Sequence, residues 1–486
     1  MAPSAGRQMS DDEQLRSLGY EPELDRSMGA WSSFSISISC MCVTAGVFTT
    51  FAYAMGKVGP VFVWTWLIVS VGQLLVGLIL AELSSSMPIS GYAYQWASRL
   101  VNPHYGWFVG WLGLMAFIPG FTGLNFGLGS VLLTRLGIET SQANLALVAA
   151  LATLSQLAIN AIGVKVASRI NNVVALAVEI ALAIVMTAIL LVVGLSSGAD
   201  HNLGYLFESS PGAAGFFTAF GLSSLLAMWV LTGFEGAADL AEETKLPSRF
   251  VPKAVLRSLV FAIVVGFLMI IGLTLNNPGG LNDGDPSAIL HSALGSFGGT
   301  VFESIAIIAL YAGGLANMAA ASRLMFSLAR DNMLPGSGAL RTVSKSTKAP
   351  IATLILVSVA SLVLIGVGLL SNDAMARIVG MAALGYYGVY GLTIFAVMRS
   401  RSAGRLPRST AEGSFSMGGM SGPVTVMGLV WTVVVIAVLI FPTDNHGTAE
   451  TAGIFVVLAV IWYFVALRSK IGAGSAGVPP EQVSQN

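Results

Sequence analysis

The chain has 486 residues, of which 55% are hydrophobic and only 10% are charged, and its mean hydropathy is +0.78. Soluble globular proteins carry charge on about 25% of their residues, so this composition excludes an ordinary water-soluble domain. The 24 basic residues are balanced by 24 acidic ones, which gives no basic surface for nucleic acid. We therefore expect a lipid bilayer as the main partner and no nucleic-acid partner.

The first 28 residues are polar and contain no basic region followed by an apolar one, so we expect no cleaved signal peptide. We interpret residues 1–28 as a cytoplasmic N-terminal segment. The first apolar span then acts as the insertion signal.

Apolar stretches long enough to cross a bilayer as helices occur twelve times, since about 20 residues suffice for one crossing. The sequence thus predicts an all-α integral membrane protein with twelve transmembrane helices in a domain over 29–470. The polar residues 471–486 are expected to form a disordered cytoplasmic tail. The predicted spans lie near 31–54, 60–87, 104–134, 143–163, 170–196, 213–240, 254–276, 296–330, 351–370, 374–399, 423–442 and 449–468.

The distribution of Lys and Arg predicts the orientation, because cytoplasmic loops retain positive charge. With the N-terminus inside, the external loops hold only Lys57, Arg135 and Arg377. We therefore expect both termini in the cytoplasm and a multi-pass location in the plasma membrane.

The two cysteines, Cys40 and Cys42, both lie inside the first span. A tetrahedral metal site needs further ligands, and the four histidines are scattered among loops and helix ends. Because the two thiols point to different helix faces, a disulfide is not expected either. The sequence predicts no metal and no cofactor.

Two spans carry interruptions of similar kind. Span one has hydroxyl side chains and Gly46 in an apolar frame, and span six contains Thr232-Gly233-Phe234-Glu235-Gly236. The two lie five spans apart, as in transporters built from two inverted five-helix repeats whose first helices are broken at mid-membrane. The alternative is that small residues simply allow close helix packing.

A helix broken at mid-membrane leaves backbone groups that must face a cavity or a ligand. The N-termini of half-helices attract carboxylates, and freed carbonyls attract ammonium groups. The paired interruptions are therefore typical of a receptor for an amino acid.

Acidic side chains inside spans are functional candidates, because an acid at the bilayer centre costs about 2.5–3.5 kcal/mol. Glu235 is the first candidate for proton coupling, and the alternative is a structural acceptor for amides at the break. Glu179 in span five is the second candidate, with a structural hydrogen bond as its alternative. Coupling to sodium instead of protons stays open.

Further charged residues lie at the predicted inner ends of spans. Asp239, Glu242 and Glu243 are interpreted as solvated or paired with Lys245 and Arg249.

The end of span eight and the loop after span two carry two more features at the inner end. Arg323 and Arg330 are expected to snorkel or to pair at a gate, rather than contact substrate. Tyr92, Tyr94 and Trp96 fit either an interfacial aromatic belt or an inner-gate loop.

Four motifs support a resemblance to a known family across nearly the whole chain. They are "TAGVF" in span one, "AELSSSMPISGYAYQWA" after span two, "WVLTGFEGAADLAEETKLP" through span six and "SRLMFSLARDNMLP" closing span eight. The chain resembles the amino acid–polyamine–organocation permeases, and among them the amino acid/choline/GABA-type branch.

The resemblance implies a LeuT-like fold with a 5+5 inverted repeat, broken helices 1 and 6, and substrate held near mid-membrane. It implies that Thr44, Ala45, Gly46 and Val47 form an unwound segment in span one whose amides bind the substrate carboxylate. It also implies that the carbonyls of Cys42 and Thr232 bind the amino group. Trp229 is implied to pack on the substrate or gate the site, and Asn317 to face it. The implied substrate-binding residues are Cys42, Thr44, Ala45, Gly46, Val47, Trp229, Thr232, Gly233, Phe234 and Asn317.

The chain departs from the family pattern at two places. Many relatives have Gly-x-Gly in span one, where this chain has Thr44-Ala45-Gly46. Span three offers Leu114, Met115 and Phe117 where some relatives place a polar side chain. A small or apolar substrate side chain therefore fits better than a guanidinium.

The sequence thus favours a secondary active transporter that imports an amino acid or related amine by alternating access, coupled to protons. The alternatives are an exchanger, a carrier of choline, GABA or polyamine, and a nutrient receptor that does not transport. The spans contain no metalloprotease or serine-hydrolase motif, so an enzyme is not expected.

Overall fold

The computed structural model describes residues 11–196, 201–212, 215–369, 374–407 and 413–479. Every regular element in these ranges is helical, apart from one isolated parallel bridge between Met28 and Thr244. The predicted all-α class is confirmed. Residues 1–10 of the predicted N-terminal segment and 480–486 of the predicted tail lie outside the described ranges.

The described part of the first half of the chain forms twelve α-helices and one π-helical segment, besides short 3-10 turns. They are α1 Asp11–Ser17, α2 Ala30–Met41, α3 Val43–Val58, α4 Val63–Ser86, α5 Tyr92–Leu100, α6 Pro103–Arg135, α7 Gln142–Ile162, α8 Val164–Val174, the π segment Ala175–Leu182, α9 Ala183–Gly194, α10 Phe216–Ser223, α11 Leu225–Val230 and α12 Gly236–Asp239.

The second half of the described chain continues with six long α-helices and two short ones. They are α13 Pro247–Leu275, α14 Pro286–Arg330, α15 Ser337–Leu340, α16 Ile351–Gly368, α17 Ala374–Ser402, α18 Ser421–Ile440, α19 His446–Trp462 and α20 Arg468–Gly472. Helix α14 is kinked at Gly295, where the backbone leaves the helical region (φ 69°, ψ 175°).

Eleven helical stretches in the described residues are long and apolar enough to cross a membrane. Predicted span six is different, because it consists of the short helices α10, α11 and α12, the first two forming an apolar stretch over Phe216–Val230. The protein is therefore a multi-pass membrane protein, and the count of twelve crossings stays a prediction that rests on span six.

Burial separates a central group of helices from a peripheral one. The most apolar window of α6 is 83% buried, and that of the stretch Ala30–Val58 is 78% buried, against 17% for the stretch Thr443–Gly472. On peripheral α7, Leu147 and Leu151 are more than half exposed, as expected for side chains that face lipid. The central helix α6 packs on both α14 and α17, and these two also contact the interrupted helices, α14 at α2 and α3 and α17 at α11.

Both ends of the described chain lie at one face of the bundle, which we call the terminal face. The Tyr20 hydroxyl donates to Asp331 directly after α14 (2.8 Å), and the Gly477 amide donates to the Asp331 carbonyl (2.8 Å). Ala476 in the predicted tail is only 9% exposed. Residues 473–477 thus pack against the bundle instead of extending away from it.

Candidate binding site at two broken helices

The first break is a single residue, Cys42, between α2 and α3. Its backbone is left-handed (φ 49°, ψ 56°), a conformation that costs a non-glycine residue about 1–2 kcal/mol. The Cys42 thiol donates to the Ala309 carbonyl of α14 (3.1 Å). Gly313 admits this contact, because a Cβ there would lie 3.0 Å from Cys42 Cβ. Packing against α14 therefore holds the strained residue in place.

The position of the break differs from the predicted one. Thr44, Ala45, Gly46 and Val47 were expected to be unwound, but they lie in the first turns of α3. The Gly46 amide bonds the Cys42 carbonyl (2.7 Å), so this carbonyl serves the helix. The amides free of an intrahelical acceptor are the first three of α3, which include those of Thr44 and Ala45.

The second break spans Leu231–Glu235, between α11 and α12. Gly233 is left-handed (φ 87°), and a Cβ there would lie 2.9 Å from the Cys40 carbonyl oxygen. Only glycine satisfies both conditions, since backbone atoms cannot move aside as a flexible side chain can. The two breaks are therefore in direct contact.

The carbonyls freed at the second break differ in whether they accept a hydrogen bond. The Leu231 carbonyl accepts from Gln73 Nε2 of α4 (2.7 Å). The carbonyls of Thr232 and Phe234 accept no hydrogen bond from any described residue. Buried carbonyls usually find a partner, so these two are available for an ammonium group.

Asn317 lies at the contact between the breaks. Its amide nitrogen donates to the Cys40 carbonyl (3.0 Å) and to the Gly313 carbonyl (2.9 Å). Its amide oxygen accepts from the Tyr386 hydroxyl (3.3 Å). The side chain thus connects α14 and α17 to the end of α2.

Trp229 lies against α6, where a Cβ at Gly120 would be 3.7 Å from Trp229 Cη2 and 3.8 Å from the Tyr386 hydroxyl. Phe117 of α6 meets Tyr386 edge-on, with ring centroids 5.5 Å apart. Trp229 is 8% exposed and Phe117 is fully buried. The wall beside the breaks is therefore aromatic and closed in this conformation.

Glu235 is fully buried at the start of α12. The Tyr390 hydroxyl of α17 lies 2.8 Å and 3.0 Å from its two carboxyl oxygens. The backbone amides of Gly233 and of Glu235 itself also lie near this carboxyl group. Glu235 thus accepts bonds at the break, and it also lies where protonation would change how the break is held.

Glu179 lies in the π-helical segment, a local widening of the helix that is frequent at functional sites. One of its oxygens accepts from the Ser39 hydroxyl in the last turns of α2 (3.0 Å). The other oxygen is buried and has no partner among the described residues. The two acidic candidates thus attach to different breaks.

The interpretation of Asp239 as a solvated acid is wrong. Its side chain is fully buried one turn after Glu235, and neither carboxyl oxygen has a partner among the described residues. The neighbouring acids do form ion pairs: Glu242 with Arg330 (2.9 Å) and Glu243 with Arg323 (2.7 Å). Of the two alternatives for Arg323 and Arg330, the structure shows pairing. The acids Glu242 and Glu243 pair with these arginines instead of the expected Lys245 and Arg249.

The terminal face is closed by a network around Asp331. The hydroxyls of Tyr20 and Tyr94 both donate to its carboxylate, at 2.8 Å and 2.7 Å. The Arg330 guanidinium lies 3.7 Å from the centre of the Tyr20 ring. Burial raises the pKa of Asp331, which the Arg330 charge and the hydroxyl donors oppose.

The aromatic residues after span two belong to this closure. Tyr92, Tyr94 and Trp96 are all buried in α5, and Trp96 donates to the Met87 carbonyl (2.8 Å). The interfacial-belt interpretation is therefore wrong for these residues, and the inner-gate alternative fits their positions.

Several residues at the breaks were missed by sequence reasoning. Tyr386, Tyr387 and Tyr390 of α17 bond Asn317, the Met228 carbonyl and Glu235, respectively. Their signal was present as "GYYGVYG", three tyrosines within seven residues of a span. Gln73 and Gly313 carried no comparable signal, because a single amide or glycine in a span has many uses.

These features define an all-α integral membrane protein whose centre is built from two interrupted helices. The model of the family described as amino acid permease matches residues 28–465, and the chain belongs to that family. The resemblance to amino acid–polyamine–organocation permeases is confirmed, whereas the narrower branch stays a prediction.

Relatives are similar over nearly their full length. An uncharacterized amino-acid permease of Schizosaccharomyces pombe is 28% identical, covering 94% of this chain and 86% of the relative. Amino-acid permease 2 of Neurospora crassa is 25% identical, covering 96% and 87%. An amino-acid permease BAT1 homolog of Oryza sativa subsp. japonica is 26% identical, covering 93% of each. Membership of this permease family implies a membrane transporter rather than an enzyme.

Proposed function

We propose that the protein imports an amino acid with a small or apolar side chain, coupled to the inward movement of a proton. The observation that carries this proposal is the contact between the two breaks. It brings the amide end of α3 close to a segment with two free carbonyls, those of Thr232 and Phe234. Amides attract a carboxylate and carbonyls attract an ammonium group, so the pair suits an amino acid.

The aromatic wall supports the choice of side chain. Trp229, Phe117 and Tyr386 supply apolar ring surface beside the breaks. Helix α6, which supplies part of this wall, contains no acidic residue that could neutralise a guanidinium. The names of the relatives, all amino-acid permeases, agree with this substrate class.

Two buried acids support proton coupling. Glu235 and Glu179 each bond a hydroxyl next to one of the breaks. A proton gained by either acid turns an acceptor into a donor and alters how that break is held. One charge moved through 100 mV provides about 2.3 kcal/mol, enough for a roughly fifty-fold substrate gradient.

We further propose that the terminal face is cytoplasmic, in the plasma membrane. The arrangement of basic residues supports this orientation, because Lys and Arg are concentrated in the loops predicted at that face, and cytoplasmic loops carry an excess of these residues. The closed network at Asp331 would then be the inner gate of an alternating-access cycle.

Uptake of labelled amino acids into proteoliposomes tests the proposal. We expect an inward proton gradient to drive accumulation of a small or apolar amino acid, and a protonophore to abolish it. Parallel samples contain GABA, choline and putrescine, or a sodium gradient instead of the proton gradient. Uptake only with unlabelled substrate inside would indicate an exchanger, and absence of uptake of every amino acid would contradict the proposal.

A further inference from the structure

A small cavity with mostly apolar walls lies between the two breaks and the terminal face. Its volume in this conformation is about 10 Å³, room for about one water molecule, and its walls come from α2, α7, α8, α14 and the residue after α12. Ile36 lies one turn before Cys40 in α2, and Leu240 lies one turn after Gly236, so the cavity begins where the breaks end. The lining residues that matter here are Ile36, Asn160, Ser168, Asn171, Leu240 and Arg323.

Two of these side chains have hydrogen-bonding atoms without partners. Asn171 is 1% exposed, and neither its amide nitrogen nor its amide oxygen bonds any described residue. Arg323 is also 1% exposed and uses Nε and Nη2 on Glu243, at 2.7 Å and 3.3 Å, while its Nη1 has no partner among the described residues. Buried polar groups without partners are rare, and at a cavity wall they indicate a ligand.

The unpartnered atoms have the chemistry of a site for a zwitterion. A guanidinium N–H and an amide N–H both donate to a carboxylate, and an amide oxygen accepts from an ammonium group. Glu243 already compensates one charge of Arg323, so the attraction is moderate. A moderate attraction suits a group that must bind and then leave.

The apolar part of the cavity wall suits the apolar part of a bound amino acid. Ile36, Leu240, Ala316 and Ala319 complete the lining between the polar atoms. Asn317, at the contact between the breaks, directly follows Ala316 in α14, so the cavity adjoins the central site.

We propose that this cavity widens when the terminal face opens and is then a transient site that receives the carboxylate of the amino acid on its way from the breaks to the terminal face. Asn171 and the free Nη1 of Arg323 bind the carboxylate there. The inference rests on the proposed function, since it assumes that an amino acid is the cargo.

Asn171 is the residue to test, because its amide bonds nothing else that the structure describes, whereas Arg323 also holds Glu243. Purified Asn171→Leu and Asn171→Asp are reconstituted, with sidedness determined by protease access to the N-terminal segment. Half-saturation is measured separately for substrate presented at each face. The control is Asn172→Ala, which removes the neighbouring amide, outside the cavity, that donates to Ser32 (2.9 Å).

We expect Asn171→Leu to raise half-saturation at the terminal face about tenfold, the effect of one lost bond to a charged group. Asn171→Asp should raise it further, because a carboxylate repels the substrate carboxylate. Half-saturation at the opposite face should stay within about twofold, as should both values for Asn172→Ala. A matched fall in affinity at both faces would indicate a general structural effect and overturn the inference.

The melting temperature of the variants distinguishes a binding role of Asn171 from a packing defect. If Asn171→Leu raised the melting temperature and left transport unchanged at both faces, the unpartnered amide would be a packing defect and the inference would be wrong. If Asn171→Leu did not fold, the nearly isosteric Asn171→Asp would carry the test alone. If the wild-type protein transported no amino acid, the proposed function would be wrong as well. If the wild type transported an amino acid and both Asn171 variants matched it at both faces, only the inference of this site would be wrong.

Discussion

At the scale of single residues, the bonds of Glu235 explain why an acid occupies the middle of span six. It is fully buried, accepts from Tyr390 and lies near two backbone amides at the break. These bonds fit a structural acceptor as well as a proton carrier, so only function can separate the two roles. Neutralising the side chain without changing its shape is the suitable test.

We expect Glu235→Gln to retain substrate binding but to lose stimulation of uptake by an inward proton gradient, because an amide cannot titrate. Uptake across a range of external pH checks this, with substrate binding measured on the same sample. Tyr390→Phe is the matched variant, since it removes the hydroxyl partner and leaves the acid. Full gradient stimulation in Glu235→Gln would assign the acid a structural role and leave Glu179 as the candidate.

Asp239 supplies a second prediction at this scale. A buried carboxyl without a partner is unfavourable, so Asp239→Asn should keep or raise the melting temperature. Because membrane proteins keep such acids mainly for function, we expect the same variant to reduce proton-driven uptake at least fivefold. A melting temperature that fell by several degrees would show that Asp239 has an important partner, contrary to the geometry. Glu208, an exposed acid, provides the control as Glu208→Gln.

At the scale of elements, the two breaks depend on close backbone contact. Position 233 requires glycine for two reasons: its backbone is left-handed, and an added Cβ would lie too close to the Cys40 carbonyl. Gly313 is needed for the approach of α14 to Cys42. The candidate site is therefore formed by packing among α2, α14 and the segment before α12, and not by either broken helix alone.

Gly233→Ala should abolish transport and lower stability by more than the roughly 1–2 kcal/mol that a left-handed backbone costs. The excess comes from the clash with the Cys40 carbonyl, which cannot rotate away. Thermal unfolding in detergent measures the stability. Gly336→Ala is the matched control, because Gly336 has a similar φ of 70° but no neighbour within 4 Å of an added Cβ. Equal losses in the two variants would mean that the close approach is unimportant.

At the scale of the whole molecule, the terminal face is closed by residues far apart in the chain. Tyr20, Tyr94 and Asp331 meet there, while Glu242 and Glu243 at the end of span six pair with α14 arginines. The N-terminal segment is thus part of the closure. Opening of this face must break these bonds together.

Tyr20→Phe should make this face open more often, because it removes a bond to a charged group worth about 1.5–3 kcal/mol. The only two cysteines, Cys40 and Cys42, are buried at the break and report such opening. We expect a membrane-permeant maleimide to label them about tenfold faster in Tyr20→Phe than in wild type. Substrate should slow the labelling, and Cys40→Ala identifies the reacting thiol. Unchanged labelling in Tyr20→Phe would show that the hydroxyl contributes little to closure.

The membrane class, most of the spans, the two interrupted helices and the family could be predicted from the amino-acid sequence, because hydropathy and local motifs depend on residues close in the chain. Glu235, Glu179 and Asn317 also stood out in the sequence. Helix packing was needed to show that the first break is Cys42, that Asp239 is buried without a partner among the described residues, and that the tyrosines of α17 bond the breaks. These depend on which helices pack together, and residues such as Tyr390 and Glu235 are far apart in sequence, so no local pattern records their contact.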